Sequence, residues 1–105
     1  MWSSLSDSTG ESLTIRIPAG LRSKEKLLGI FAKKLRFPSY FGWNWDAFEE
    51  CLGDLSWLPA ELPITVVHES LPFGDSENRR IYLEILQHWR SRAARPLRLV
   101  LLNNA

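Results

Sequence analysis

Three short β-prone apolar runs, separated by stretches of helical periodicity, constrain the fold of this chain more than any other feature. Residues 13–17 alternate apolar and polar side chains, as a half-buried strand does. Residues 64–67 are mostly β-branched, which is typical of a strand buried on both faces. Residues 97–102 supply a last run after Pro96. Because strands separated by helices favour parallel pairing with right-handed crossovers, the sequence predicts an α/β domain.

Three helices are predicted between these strands, each with a recognisable start. Ser23 and Asn44 are good N-caps for the first two helices, of which the second covers residues 45 to about 52. Either Asp75 or Ser76 caps a long third helix. Its predicted apolar stripe consists of Ile81, Tyr82, Ile85, Leu86 and Trp89. The expected architecture is a small three-stranded parallel sheet packed with helices, in the order β-α-α-β-α-β.

The length and composition indicate one domain. A chain of 105 residues with 45% hydrophobic residues buries one core, expected over residues 11–105 after a flexible, serine-rich leader at residues 1–10. The single cysteine, Cys51, excludes an internal disulfide, and no membrane-length apolar run or signal peptide is present in the sequence. We therefore expect a cytoplasmic protein. Glycine-rich phosphate motifs and metal-ligand spacings are missing from the sequence, so no cofactor and no metal are expected.

The charges are distributed unevenly, although the net charge is only +1. Residues 1–36 carry seven Lys or Arg against three acids, and residues 79–105 carry six Arg against one acid. Residues 37–78 hold eight acids and no Lys or Arg. The sums are +4, +5 and −8, which give the net +1. Two interpretations remain open: a polarised surface that selects a basic partner, or acids that neutralise basic neighbours in space.

The second predicted helix carries an acidic face. Asp46, Glu49 and Glu50 fall on one side of the helical wheel, and Asp54 joins them if the helix extends that far. Like charges three or four residues apart cost a helix about 0.2–0.5 kcal/mol per pair. No Lys or Arg in the segment offsets this cost. The face is therefore either a functional surface or an ordinary solvated one.

An aromatic loop directly precedes this acidic face. Tyr40, Phe41 and Trp43 lie on a loop, where large rings are difficult to bury, so we expect them at the surface. Tyr and Trp are frequent anchors of protein-binding surfaces, because they supply rigid contact area. Carboxylates flanked by aromatic rings complement a basic pocket, such as a nuclease active site that must hold phosphates.

The segment from Pro38 to Leu52 resembles the barstar family of ribonuclease inhibitors. The shared pattern is P-x-Y-[YF]-G-x-N-x-D-A-x-x-[DE]-C-L. The length and the predicted element order are similar as well. The resemblance implies a non-catalytic, stoichiometric inhibitor that is monomeric when free and plugs the active site of a small basic ribonuclease in a one-to-one complex.

The resemblance also implies roles for particular residues. Tyr40 matches the loop tyrosine, Asn44 the cap that contacts the enzyme and Asp46 the first acidic contact. Glu50 stands where the family has an aspartate that mimics a phosphate, and it is one methylene longer. Residue analysis and resemblance together predict a partner-binding surface of Tyr40, Gly42, Trp43, Asn44, Asp46, Glu49, Glu50, Asp54 and Trp57. No catalytic residue is predicted.

Two other functions remain open. The acidic face suits an interaction module whose basic partner is not a nuclease. Alternatively, the arginine-rich end of the third helix, with Trp89 among the arginines, suits a nucleic-acid contact. The inhibitor hypothesis expects neither direct binding of nucleic acid nor a membrane partner.

Overall fold

The computed structural model describes residues 12–103, so the predicted leader at residues 1–10 lies outside the described part. The elements run in the order β1 (Leu13–Ile17), α1 (Lys24–Lys34), α2 (Trp45–Asp54), β2 (Ile64–His68), α3 (Glu77–Arg92) and β3 (Leu97–Leu101). This order confirms the predicted β-α-α-β-α-β arrangement. The second helix continues two residues beyond its predicted end, to Asp54, and so includes the whole acidic face.

The three strands form one parallel sheet in the order β1-β2-β3. The register places Ile15 of β1 beside Val66 of β2, and Val66 beside Leu99 of β3. In β2, alternate residues are buried, whereas Thr65 and Val67 are only half-buried. The expectation that this strand is buried on both faces is therefore wrong for one face, because the helices cover only the other.

An aromatic cluster joins the three helices above the covered face of the sheet. The ring of Phe31 in α1 packs edge-on against Phe48 in α2, with 4.9 Å between centroids. Tyr82 of α3 lies parallel to Phe48 at 6.4 Å and also packs against Phe73 at 6.1 Å. All four rings are buried. Phe48 therefore holds the apolar side of α2 against the core, and the opposite side faces outward.

A buried polar pair links the central strand to α3. His68 is only 3% exposed, and its Nε2 lies 2.7 Å from the hydroxyl oxygen of Tyr82. Its Nδ1 lies 3.1 Å from the carbonyl oxygen of Val100, which can only accept, so Nδ1 carries the proton. Nε2 then accepts a hydrogen bond from the Tyr82 hydroxyl group. Burial lowers the pKa of His68 and raises the pKa of Tyr82, so both side chains are neutral at pH 7.

The neutral state of His68 makes the stability of the fold depend on pH. The unfolded chain binds a proton at His68 below its ordinary pKa of about 6.5, whereas the folded chain does so only at lower pH. The part of the free energy of unfolding that depends on neutral His68 is fully present above about pH 6.5 and is lost as the pH falls below it. His68→Gln should lower the free energy of unfolding at pH 7.5, and its difference from the native chain should narrow towards pH 5. Urea denaturation of both chains between pH 7.5 and pH 5 measures this difference in the free energy of unfolding. A difference that stays constant or widens would contradict the neutral state of His68.

Candidate protein-binding site

The acidic helix begins at a cap that the sequence predicts. The side-chain oxygen of Asn44 accepts a hydrogen bond of 2.8 Å from the backbone N–H of Ala47, and its amide nitrogen donates to the carbonyl oxygen of Gly42 at 3.3 Å. A Cβ atom at Gly42 would lie 3.2 Å from the Asn44 amide nitrogen. Gly42 therefore permits the tight approach of the loop to the helix start, and Asn44 fixes the direction in which α2 leaves the loop.

The loop presents two of its three rings to solvent. Tyr40 is 73% exposed and Trp43 is 51% exposed. Phe41 is buried, contrary to the expectation of a surface ring, because it packs edge-on against Phe37 at 4.9 Å between centroids. Phe41 thus anchors the loop to the core and leaves Tyr40 and Trp43 at the surface.

Trp43 has an unusual backbone conformation and an unusual neighbour. Its φ is +58°, in the left-handed region that bulky residues seldom adopt. Its ring lies beside Phe41, at 5.1 Å between centroids, and over Gly29 of α1, where a Cβ would lie 3.8 Å from the ring. A Cβ at Gly29 would be in ordinary van der Waals contact with the indole, so the ring packs directly on this part of α1. Such strain is often found at functional sites.

Three exposed carboxylates form a row along α2. Asp46, Glu50 and Asp54 lie one helical turn apart, with a rise of about 6 Å between neighbours. None of the three makes a salt bridge with any residue between 12 and 103. Their negative charge therefore has no salt-bridge partner within the described part of the chain.

Other acids of the same acidic segment, or close to it, are neutralised. Glu69 bonds Arg16 at 2.7 Å, which lowers the pKa of Glu69. Glu77 and Glu84 both bond Arg80, at 3.1 and 2.9 Å. The interpretation that acids merely neutralise basic neighbours thus holds for these residues and fails for the carboxylate row.

Glu50 and Asp54 border a shallow depression with Tyr40. Its volume is about 170 Å³, and its lining also includes Cys51. Pockets for small molecules usually measure about 300–1,000 Å³, so this one is better suited to a single side chain of a partner. The structure therefore brings together predicted site residues from the loop and the helix.

Cys51 lies behind the depression and is buried. Burial raises the pKa of its thiol, and the nearby carboxylates of Asp54 and Glu50 raise it further. The thiol is therefore protonated and a poor nucleophile. Cys51 therefore belongs to the apolar side of α2 that packs on the core.

Glu49 points towards α3 rather than along the row. Its Oε2 lies 2.6 Å from Nδ1 of His88, and its side chain is 37% exposed. Glu49, Asp46 and His88 border a cavity of about 350 Å³ between the two helices. Sequence reasoning missed this contact because the two residues are 39 positions apart.

Trp57 lies after α2 and is half-buried. Its indole N–H donates to the carbonyl oxygen of Leu35 at 2.8 Å, and its ring packs edge-on against Phe37 at 6.3 Å. These contacts tie the segment after α2 to the end of α1. The predicted binding residue therefore has a structural role that its position in the sequence does not reveal.

The carboxyl end of α2 lies against α3. The guanidinium of Arg92 approaches so closely that a Cβ at Gly53 would lie 2.7 Å from it. The last turn of α2 has no basic residue of its own. Arg92 therefore places a positive charge near the negative end of the helix dipole, a role that the sequence analysis did not predict.

The sequence also matches a known protein family over most of its length. The sequence model of the family described as Barstar (barnase inhibitor) matches residues 12–101. The chain belongs to the barstar family. Members of this family act in general as inhibitors of barnase-type ribonucleases, and the barstar-family match confirms the resemblance noted from Pro38 to Leu52. No curated protein matches the sequence closely enough to serve as a named relative.

No helix among residues 12–103 is long and apolar enough to cross a membrane. The same residues contain no group of three or more His, Cys, Asp or Glu side chains arranged to hold a metal ion.

The Asn44 cap predicts a measurable contribution to stability. Asn44→Ala should lower the free energy of unfolding by about 1 kcal/mol, because the N–H of Ala47 loses its acceptor. Urea denaturation measures the change. Asn44→Ser retains a capping oxygen and should recover most of the loss, so an equal loss in both variants would show that capping is not the cause.

Proposed function

We propose that this chain is a stoichiometric protein inhibitor of a small basic ribonuclease and blocks its active site with the carboxylate row of α2 and the aromatic loop. One observation carries the proposal. Asp46, Glu50 and Asp54 have no salt-bridge partner among the described residues, and Glu50 and Asp54 border one depression with exposed Tyr40. Family membership supports the inhibitor class.

Charge complementarity supplies the binding mechanism. A ribonuclease must hold phosphates, so its active site presents Arg, Lys or His side chains. Carboxylates spaced along a rigid helix accept hydrogen bonds from these cations in place of phosphate oxygens. The unpaired charge also attracts a basic enzyme over a distance and speeds association at low salt. RNA is excluded because the helix occupies its place.

The aromatic loop supplies contact area beside the charges. Tyr40 and Trp43 are exposed, while Phe41 fixes the loop to the core. A loop that is already ordered loses little conformational entropy on binding. The small depression between Tyr40, Glu50 and Asp54 then receives one cationic side chain of the enzyme. The extra methylene of Glu50 adapts this contact to the particular target.

The biological role follows from the same chemistry. The chain serves in the cytoplasm as an antidote, or immunity protein, against a ribonuclease made by the same cell or a neighbour. It acts as a monomer, forms a one-to-one complex, binds no nucleic acid directly and performs no catalysis.

Removing single carboxylates should distinguish the contribution of the carboxylate row to binding from the contribution of its neighbour Glu49. Asp46→Ala and Glu50→Ala should each weaken binding by at least about 2 kcal/mol, because each leaves a cation of the enzyme unpaired. Glu49→Ala should cost less, since His88 already engages that carboxylate. Titration calorimetry with a ribonuclease that the native chain inhibits measures the binding free energies of all three variants. The two row variants should fold with unchanged or slightly higher stability, because repulsion between like charges is relieved.

Glu61→Ala is the matched control for these truncations. Glu61 is an exposed acid outside α2, so its loss changes the net charge equally and should leave affinity nearly unchanged. If Asp46→Ala and Glu50→Ala bind as the native chain does, the carboxylate row is not the interface.

Charge reversal tests the function itself. Native, Glu50→Lys and Glu61→Lys chains are titrated into a panel of small basic ribonucleases that includes barnase, with cleavage of a fluorogenic RNA as the readout. For at least one enzyme, the native and Glu61→Lys chains should abolish activity at one equivalent, whereas Glu50→Lys should not.

The same three chains then serve as baits in a lysate of the source organism. A basic protein with ribonuclease activity, held by the native and Glu61→Lys baits but not by Glu50→Lys, would support the proposal. A basic protein without such activity, held in the same pattern, would favour an interaction module of the same fold. Equal capture by all three baits would exclude α2 as the binding surface.

A further inference from the structure

A second open surface, here called the β1 groove, lies along the first strand. Its volume is about 900 Å³. Its walls are residues 12–16 of the β1 region, the end of α1 and the segment at residues 58–62. It shares no lining residue with the depression beside Glu50 or with the cavity beside His88. Nothing in the proposed inhibitor function uses it.

Within residues 12–103, the backbone of β1 is open towards this groove. β1 is an edge strand, and no other strand among residues 12–103 pairs with its outer side. The N–H of Leu13 donates to Pro63, and the carbonyl of Ile17 accepts from Glu69, so alternate residues from Leu13 bond towards β2. The N–H and C=O groups of Thr14 and Arg16 therefore point outward, as the alternation of a parallel ladder requires.

The groove is lined by cations and apolar side chains. Its charged lining residues are Arg16, Lys33, Lys34 and Arg36, and no acid among residues 12–103 lines it. Lys33, Lys34 and Arg36 make no salt bridge with any described residue. Its apolar lining residues are Leu13, Ile15, Ile30, Leu58, Pro59 and Leu62.

The far wall of the groove is held in place from two sides. Arg95 donates to the carbonyl oxygens of Pro59 and Leu62, at 3.1 and 3.2 Å. Trp57 bonds to the end of α1 through Leu35. The groove is therefore formed before any partner arrives.

We propose that the β1 groove binds an extended acidic peptide segment of another protein, which adds to the sheet as a strand beside β1. The peptide backbone pairs with the outward groups of Thr14 and Arg16, its carboxylates meet Lys33, Lys34 and Arg36, and its alternate apolar side chains rest on the groove floor. Strand addition of this kind takes affinity from the main chain and specificity from side-chain pockets. It proceeds independently of the carboxylate row, so both partners bind at once.

Two observations favour a peptide over nucleic acid at this groove. No aromatic residue between 12 and 103 lines it, so this part of the chain offers bases no ring on which to stack. An open strand edge instead matches the hydrogen-bonding pattern of a peptide backbone. Charged residues also protect strand edges from aggregation, but that role does not require a preformed groove with an apolar floor.

The test uses a fluorescein-labelled, terminally blocked peptide in which glutamate alternates with valine. Fluorescence anisotropy should show saturable binding to the full chain. Hydrogen exchange should slow at the amides of Thr14 and Arg16, and the amide of Ile15, already bonded to β2, should change little. The double variant Lys33→Glu with Lys34→Glu should weaken binding by at least about tenfold.

Three matched controls accompany this test. Arg90→Glu with Arg98→Glu makes the same charge change at exposed sites outside the groove and should leave binding nearly unchanged. A peptide of the same sequence that is N-methylated at every residue has no backbone N–H to donate and should bind far more weakly. A labelled oligouridylate should not compete with the peptide.

Each contrary result overturns the proposal. An absence of peptide binding, equal weakening by the two double variants, or full binding of the methylated peptide would exclude strand addition at this groove. Oligouridylate binding that depends on Lys33 and Lys34 would identify a nucleic-acid site instead. Inhibition of a ribonuclease should be unaffected by Lys33→Glu with Lys34→Glu, which separates this proposal from the inhibitor function.

Discussion

The stacking of Phe48 on Tyr82 decides which side of α2 meets solvent. Phe48 belongs to a helix of only ten residues, and its burial against rings from α1 and α3 holds the helix in one rotation about its axis. The carboxylate row lies on the opposite side. Repulsion within the row is small beside the burial of a phenylalanine ring, which is worth about 1.5–3 kcal/mol. The core can therefore hold three unpaired charges in an arrangement that the helix alone would not favour.

Local rules account for most of what the sequence predicts correctly. The Asn44 cap depends on a residue three positions away, and the carboxylate row depends on helical spacing, so both can be inferred from a few neighbouring residues. The order of the elements and the parallel pairing follow from the alternation of strands and helices. The family pattern at residues 38–52 covers the same local region, which explains why loop and helix could be predicted together.

Contacts between distant segments account for what the sequence does not predict. His88 engages Glu49 across 39 positions, and the indole of Trp57 reaches back to Leu35 across 22. The position of Phe41 on a loop predicts a surface ring, yet Phe41 is the buried ring that anchors the loop to the core. No spacing rule distinguishes Phe41 from Tyr40, since only the packing of Phe37 decides which ring turns inward.

Under the proposed function, Gly29 links α1 to the recognition of a partner, although α1 carries none of the predicted contact residues. The indole of Trp43 lies over Gly29, where a Cβ would already touch the ring, so a side chain larger than alanine would press on the aromatic part of the surface and leave the carboxylates in place. Under the proposed function, shape and charge can consequently diverge separately in descendants of this chain. A lineage could change the contour that it offers to a new enzyme by altering α1, while the charge of the carboxylate row is preserved.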